Sequence, residues 1–237
     1  MSYTSYSEAR MSLHSKGFKP KPRKSMRPPE RQVALRTESI VPAKTTLVLK
    51  PNGNAQSVAA YIITTEEEEE ELVYTVSGRK YGDRVCREFH DASGLPLFEL
   101  HTKTALGRPY SWYITMPGGG DIKIAEGEPR WGNNNKSMKF SFRNMAANDT
   151  KSDSDKDMTL LISPCGDIMA RYDIVDGDRR IGGVYESIHH NDTLALLPKS
   201  RRKSLRPAMD LVIVTGVDSS LVAAIAIIMF EWTYGAE

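Results

Sequence analysis

Ten consecutive apolar residues, Leu221 to Phe230, sit inside the stretch GVDSSLVAAIAIIMFEW, which runs from Gly216 to Trp232. Alanine at three of the four positions 223 to 226, together with the length of the run, predicts a helix rather than a strand. At 100° per residue, Leu221, Val222, Ile225, Ile228 and Met229 cover one side of that helix. Ala223, Ala224, Ala226, Ile227 and Phe230 cover the other, so no polar face is left. Such a helix has to be enclosed on every side. A bilayer does not meet the need: ten residues rise about 15 Å, roughly half of a ~30 Å hydrocarbon core, and Asp218 and Glu231 flank the run. Asp218 or a serine after it is placed to cap the helix and to meet the positive end of its dipole.

The rest of the chain supplies the enclosure. From Thr45 onward, short runs alternate apolar and polar residues with a period of two: 45–50, 72–78, 85–90, 95–102, 110–115, 121–126, 137–143, 158–163, 167–174, 180–188 and 209–215. In SMKFSFR, Met138, Phe140 and Phe142 take one face while Lys139, Ser141 and Arg143 take the other, the pattern of a half-buried antiparallel strand. Turn formers separate the runs, among them Asp91-Ala-Ser-Gly94, Pro117-Gly-Gly-Gly120 and Asp176-Gly177. A meander of ten or more short strands curls or closes, because a long open sheet leaves its edges exposed. The predicted fold is therefore mainly β, a closed antiparallel barrel with the apolar helix at its centre.

Charge divides the chain in two. Residues 1–44 carry ten Lys/Arg and three Glu, a net +7, so the remainder of a chain of net +2 carries −5. The segment KGFKPKPRKSMRPPERQ has scattered prolines and hardly any apolar periodicity, which predicts a disordered basic arm over 1–44 ahead of a barrel domain over 45–237. Cys86 and Cys165 are the only cysteines, and the N-terminus lacks an apolar signal stretch. Both features point to a reducing compartment, cytoplasmic with peripheral membrane or nuclear association open. The sequons at Asn148 and Asn191 then read as chance matches.

Three insertions interrupt the meander. Glu66 to Glu71 is a run of six carboxylates, expected to form a solvated loop or an irregular approach to a strand. Residues 144–157 (NMAANDTKSDSDKD) and 199–206 (KSRRKSLR) are expected to be flexible loops. Asp153, Asp155 and Asp157 alternate as calcium ligands do, but the glycine and terminal Glu of an EF-hand loop are missing.

The central hairpin Asp91-Ala92-Ser93-Gly94-Leu95-Pro96-Leu97, the pair Trp112-Tyr113, and Asp210 followed by Gly216-Val217-Asp218 and an apolar helix together resemble the LURP-one-related proteins. These belong to the tubby C-terminal-like superfamily, with the phospholipid scramblases. The resemblance spans about Thr45 to Trp232 and implies a barrel of about twelve strands threaded by a central hydrophobic helix. It implies little about activity. Tubby-type relatives bind phosphoinositides, but no lipid site carries over residue by residue.

Catalytic constellations are weak. Cys86 and His90 fall on one face of a strand but about 13 Å apart, too far for proton transfer. His189-His190 could contribute to a metal site, but neighbours in a strand point to opposite faces and no second cluster completes one. Pro117 to Gly120 lacks the Lys-Ser/Thr and the following helix of a phosphate loop. The expectation is a non-enzymatic protein with no catalytic residues, no cofactor and no metal. Anionic lipid is the candidate ligand, met by Lys199, Arg201, Arg202, Lys203 and Arg206, with Lys19, Lys21, Arg23 and Lys24 of the arm in support. Ser204 follows a basic run suited to basophilic kinases, and its phosphorylation would weaken membrane attraction. The alternative is a protein-interaction scaffold that uses the acidic and basic loops. Nucleic acid is disfavoured, since only Phe18 stands among the arm's charges as a stacking platform.

Overall fold

The computed structural model describes residues 23–53, 57–67, 69–78, 86–105, 108–118, 122–130, 137–147, 156–165, 170–191 and 206–234. Twelve strands form one sheet: β1 (Thr45–Pro51), β2 (Tyr61–Thr65), β3 (Leu72–Val76), β4 (Cys86–Asp91), β5 (Pro96–Ala105), β6 (Arg108–Thr115), β7 (Lys123–Pro129), β8 (Met138–Arg143), β9 (Asp157–Pro164), β10 (Arg171–Asp176), β11 (Arg179–Glu186) and β12 (Met209–Ile213). Each strand pairs antiparallel with its sequence neighbours, and β1 closes on β12 with Thr45 opposite Ile213 and Leu49 opposite Met209. Closure removes every sheet edge, which is how so many short strands avoid templating aggregation. The expected closed antiparallel barrel is the observed one.

The helix α1 (Ser219–Tyr234) runs through the centre, and every residue from Ser219 to Glu231 is buried. Interior positions of β8 alternate as the sequence predicts, with Met138, Phe140 and Phe142 buried and Lys139, Ser141 and Arg143 exposed. One strand escapes the sequence reading. In β2, Tyr61, Ile62 and Ile63 follow Ala59 and Ala60 as an unbroken apolar run, and the register against β3 shifts between Ile63 and Thr64. Period two is thereby hidden.

Two neighbouring ends fix the helix. Asp218 is the N-cap: its Oδ1 accepts from the N–H groups of Ser220 (2.7 Å) and Leu221 (3.2 Å) and from the Ser220 hydroxyl. Gly216, at φ +84°, makes the left-handed turn that swings the chain from β12 into the helix. Near the far end Glu231 is buried against Arg87 of β4, whose Nε donates to Glu231 Oε1 at 2.5 Å. Trp112 Nε1 donates to the other carboxylate oxygen at 3.3 Å.

The arm departs from expectation. Residues 23–44 are folded onto the barrel, with Val33 and Ala34 fully buried and Leu35 nearly so. Val33 N–H donates to Gly216 O (3.0 Å), Asp218 N–H to Val33 O (2.9 Å) and Val41 N–H to Val217 O (3.0 Å). The N–H groups of Leu35 and Arg36 complete the Asp218 carboxylate at 2.9 and 2.8 Å. The physical reason is that five apolar residues, Val33, Ala34, Leu35, Ile40 and Val41, are diluted by the surrounding Pro and Lys. Their backbone partners exist only once the helix is seated. The folded unit thus begins at least 22 residues before β1, and residues 1–22 of the expected disordered arm lie outside the described residues.

The 144–157 insertion is anchored at both of its ends. Asn144 is buried and ties the arm down, its Oδ1 accepting from Ala34 N–H (2.9 Å) and its Nδ2 donating to Gln32 O (2.8 Å). Asp157 already belongs to β9. Of the expected flexible loop 144–157, residues 148–155 lie outside the described residues. The described glutamates of 66–71 are exposed between β2 and β3, and Glu70 pairs with Lys50. Burying groups this way leaves little unsatisfied: among the described residues, Thr64 Oγ1 and Arg180 Nε are the buried side-chain atoms with no partner.

Candidate functional site

The barrel interior is occupied by its own helix, so ligand chemistry has to be sought on the outside and at the ends. Of the residues predicted to meet lipid, Lys199, Arg201, Arg202 and Lys203 lie outside the described residues, as does Ser204. Arg206 is described, and it is docked. Its guanidinium donates to Gly53 O and Ala60 O, both at 3.1 Å, and stands 4.9 Å from the Tyr61 ring centroid. It therefore fixes the end of the basic segment to the barrel rather than offering a free charge.

The arm's cations are also committed. Arg23 donates to both oxygens of Asp173 (2.8 and 2.6 Å) and to Tyr185 Oη (2.9 Å). Lys24 bonds to Gly177 O, Arg27 pairs with Asp178, and Arg179 pairs with Glu30. Arg23 and Lys24, expected to support a lipid site, make these contacts on the barrel, and Lys19 and Lys21 lie outside the described residues. Burial works to raise the Asp173 carboxyl, yet the bonds from Arg23 and Tyr185 and the nearby Arg180 charge outweigh it and hold it below the usual carboxylate range. The same surroundings push the Cys165 thiol up to about 11, chiefly by burial, which favours the protonated thiol at neutral pH. Gly183 makes this cluster possible: a Cβ there would fall 1.9 Å from Tyr185 Oη.

A groove of about 850 Å³ lies beside the arm at the neighbouring ends of β7, β8 and β9, lined by Leu35, Leu97 and Phe142 and edged by Met116, Ile122 and Met145. Those last three are more than half exposed. Its charges come in opposite pairs: Arg36 with Glu38 (2.7 Å), Lys123 with Glu126 (3.2 Å), and Arg143 across the β8–β9 register from Asp157. An anion gains little from such a rim.

A third arrangement lies on the outer face of β4 and β5. Cys86 stands opposite His101 in the register, and Glu99 precedes His101 by two residues on the same face. The Cys86 thiol, a Glu99 carboxylate oxygen and a His101 ring nitrogen all lie within 4.8 Å of one another. The sequence reading set Cys86 against His90, four residues along the same strand; the cross-strand register, which no local spacing discloses, brings His101 instead. Its histidine pair fares differently too. His189 and His190 lie in a 3₁₀ turn (His189–Asn191), not a strand, and both are exposed while Asn191 is buried. Pro117 and Gly118 form a turn, as predicted, with Gly118 at φ +79°.

A closed twelve-stranded antiparallel barrel around a helix buried from Ser219 to Glu231 defines the structural class. The family model described as LURP-one-related matches residues 45–230, and the chain belongs to that family. No curated protein and no solved structure matches it. The match ends short of the arm, so the folded segment 23–44 is an addition to the region that the family model covers. No helix among the described residues is long and apolar enough to cross a membrane.

Proposed function

We propose that this chain is a non-catalytic binding module that meets an anionic membrane surface through Lys199, Arg201, Arg202 and Lys203. The observation that supports the reading is how charge is compensated. Arg23, Arg27 and Arg179 are committed to Asp173, Asp178 and Glu30, whereas residues 198–208 hold five cations and no carboxylate. Arg206 is anchored on Tyr61, and the other four cations are the ones we assign to headgroups. Each contributes about 1 kcal/mol near an anionic leaflet. Phosphorylation of Ser204 adds about −2 charge in their midst and acts as an electrostatic switch.

Flotation of the full chain with vesicles of phosphatidylcholine alone, or doped with phosphatidylserine or a phosphoinositide, tests this. Binding should need the anionic lipid, fall at least tenfold when the four cations become alanine, and weaken in Ser204→Glu. Equal binding by the parent and the fourfold variant sinks the proposal. A second reading, a protein-interaction scaffold, is favoured by the groove beside Met116, Ile122 and Met145, whose neutral rim suits an apolar peptide segment better than a lipid headgroup. Capture of a partner from lipid-free lysate, undiminished by salt, would support it over the first.

A further inference from the structure

We propose that Cys86, Glu99 and His101 form a binding site for a thiophilic divalent cation, Zn²⁺ in the first instance, on the outer face of β4 and β5. The donor set is one thiol, one carboxylate and one imidazole, the borderline-soft mixture that Zn²⁺ takes. With Zn–S near 2.3 Å and Zn–N or Zn–O near 2.0–2.2 Å, tetrahedral donors sit roughly 3.3–3.6 Å apart. His101 Nε2 and Glu99 Oε2 are already 3.4 Å apart. The thiol lies within 4.8 Å of both ligand groups, so closing the set takes about an ångström of side-chain movement at most.

The surroundings hold these donors as a metal site requires. The three residues sit on adjacent paired strands, the most rigid support a fold offers. The His101 ring is stacked on Tyr113, with centroids 4.7 Å apart and planes 7° from parallel. Gly118 N–H donates to Glu99 Oε1 at 3.1 Å, which leaves Oε2 directed at the imidazole. Cys86 is 1% exposed and Glu99 4%, while His101 is partly open and gives a cation its way in. Thr115 Oγ1 lies 3.0 Å from His101 Nε2 and yields that nitrogen on binding. The three side chains also have further partners, so the cation displaces existing bonds and binds less tightly than in an all-Cys/His centre. The thiol loses its proton to solvent as the metal–sulfur bond forms, which makes binding stronger as pH rises.

Co²⁺ is the first probe, titrated into the full, untagged chain after reduction and chelator treatment, and Zn²⁺ affinity follows from competition with a chromophoric chelator. The expected result is one equivalent of Co²⁺ with a thiolate-to-cobalt charge-transfer band and d–d bands of tetrahedral intensity. Cys86→Ser should lose the charge-transfer band and His101→Asn should weaken Zn²⁺ at least tenfold, with near-UV circular dichroism unchanged, while Cys165→Ser behaves as the parent. Should Cys86→Ser fail to fold, Glu99→Gln and His101→Asn, which keep the thiol, carry the same comparison. No charge-transfer band in the parent, or one that survives Cys86→Ser or vanishes in Cys165→Ser, overturns the proposal.

Discussion

The N–H of Leu35 donates to Asp218 Oδ2 at 2.9 Å, joining the arm to the cap of the central helix across 183 residues of sequence. With Arg36 N–H beside it and the donors of Ser220 and Leu221 on the other oxygen, the carboxylate is enclosed by amides. Deleting residues 1–44 strips it of two donors and removes Val33, Leu35 and Val41 from the core. A bond to a charged group is worth about 1.5–3 kcal/mol, and burial of each aliphatic side chain adds a similar amount. The truncated chain should lose its cooperative urea transition, because these losses together approach a domain's whole stability of roughly 5–15 kcal/mol. Deleting 1–22 touches none of these contacts and should leave the midpoint in place. Equal midpoints for the two deletions would show the arm to be ornamental.

Arg87 and Glu231 form a buried ion pair between the barrel wall and the helix, 3% and 4% exposed. The guanidinium has further support: Arg87 Nη1 donates to Ser77 O at 3.1 Å and the group lies 5.0 Å from the Tyr61 centroid. Removing one charge leaves the other unpaired in the core. Arg87→Ala and Glu231→Ala should each cost about 3–5 kcal/mol, while Arg87→Met with Glu231→Leu costs less than the two single changes combined. A double-mutant cycle by urea denaturation reads the coupling, and additive costs would mean the pair is not an energetic unit.

Asp173 gives the chain an acid-sensitive latch. Its folded pKa lies below the ordinary value near 3.9 of the unfolded chain. The stabilisation from the Arg23 pairing is therefore fully present above that ordinary value and is lost as pH falls through the lowered folded one. Arg23→Ala should flatten the dependence of the urea midpoint on pH below about 4, and leave its shape at neutral pH unchanged. Gly183→Ala should act alike, because its Cβ displaces Tyr185. An unaltered acid limb in Arg23→Ala would place the acid sensitivity elsewhere.

Why was the barrel legible and the candidate metal site not? Strand periodicity is a local property, so Met138 to Arg143 announces its two faces from six residues, and the all-apolar helix needs only its own ten. The same reading misses β2, where bulge and apolar run erase the alternation. It also misreads residues 23–44, whose order comes from Asp218 and Gly216 far along the chain. Cys86 and His101 meet through the β4–β5 register, shifted by an irregularity between Phe89 and His90. Trp112 and Tyr113 show both sides of the matter. Adjacent in sequence, they face opposite ways, one bonded to Glu231 inside the barrel and the other stacked on His101 outside.

Ile225 tests whether the helix is enclosed by protein. It is fully buried at the middle of α1, with apolar neighbours on both sides of the helix. Truncation to alanine leaves a cavity that the surrounding strands cannot fill, and should cost about 2–5 kcal/mol while the fold survives. Ile225→Asp places an unpaired carboxylate in the same space, and no rotation of the helix brings it to water because every face of α1 is covered. The variant should fail to fold, giving no near-UV dichroism and no cooperative transition, where a helix lying on a membrane would leave the rest of the barrel intact. A folded, soluble Ile225→Asp protein with the parental midpoint would mean the helix leaves the barrel in solution.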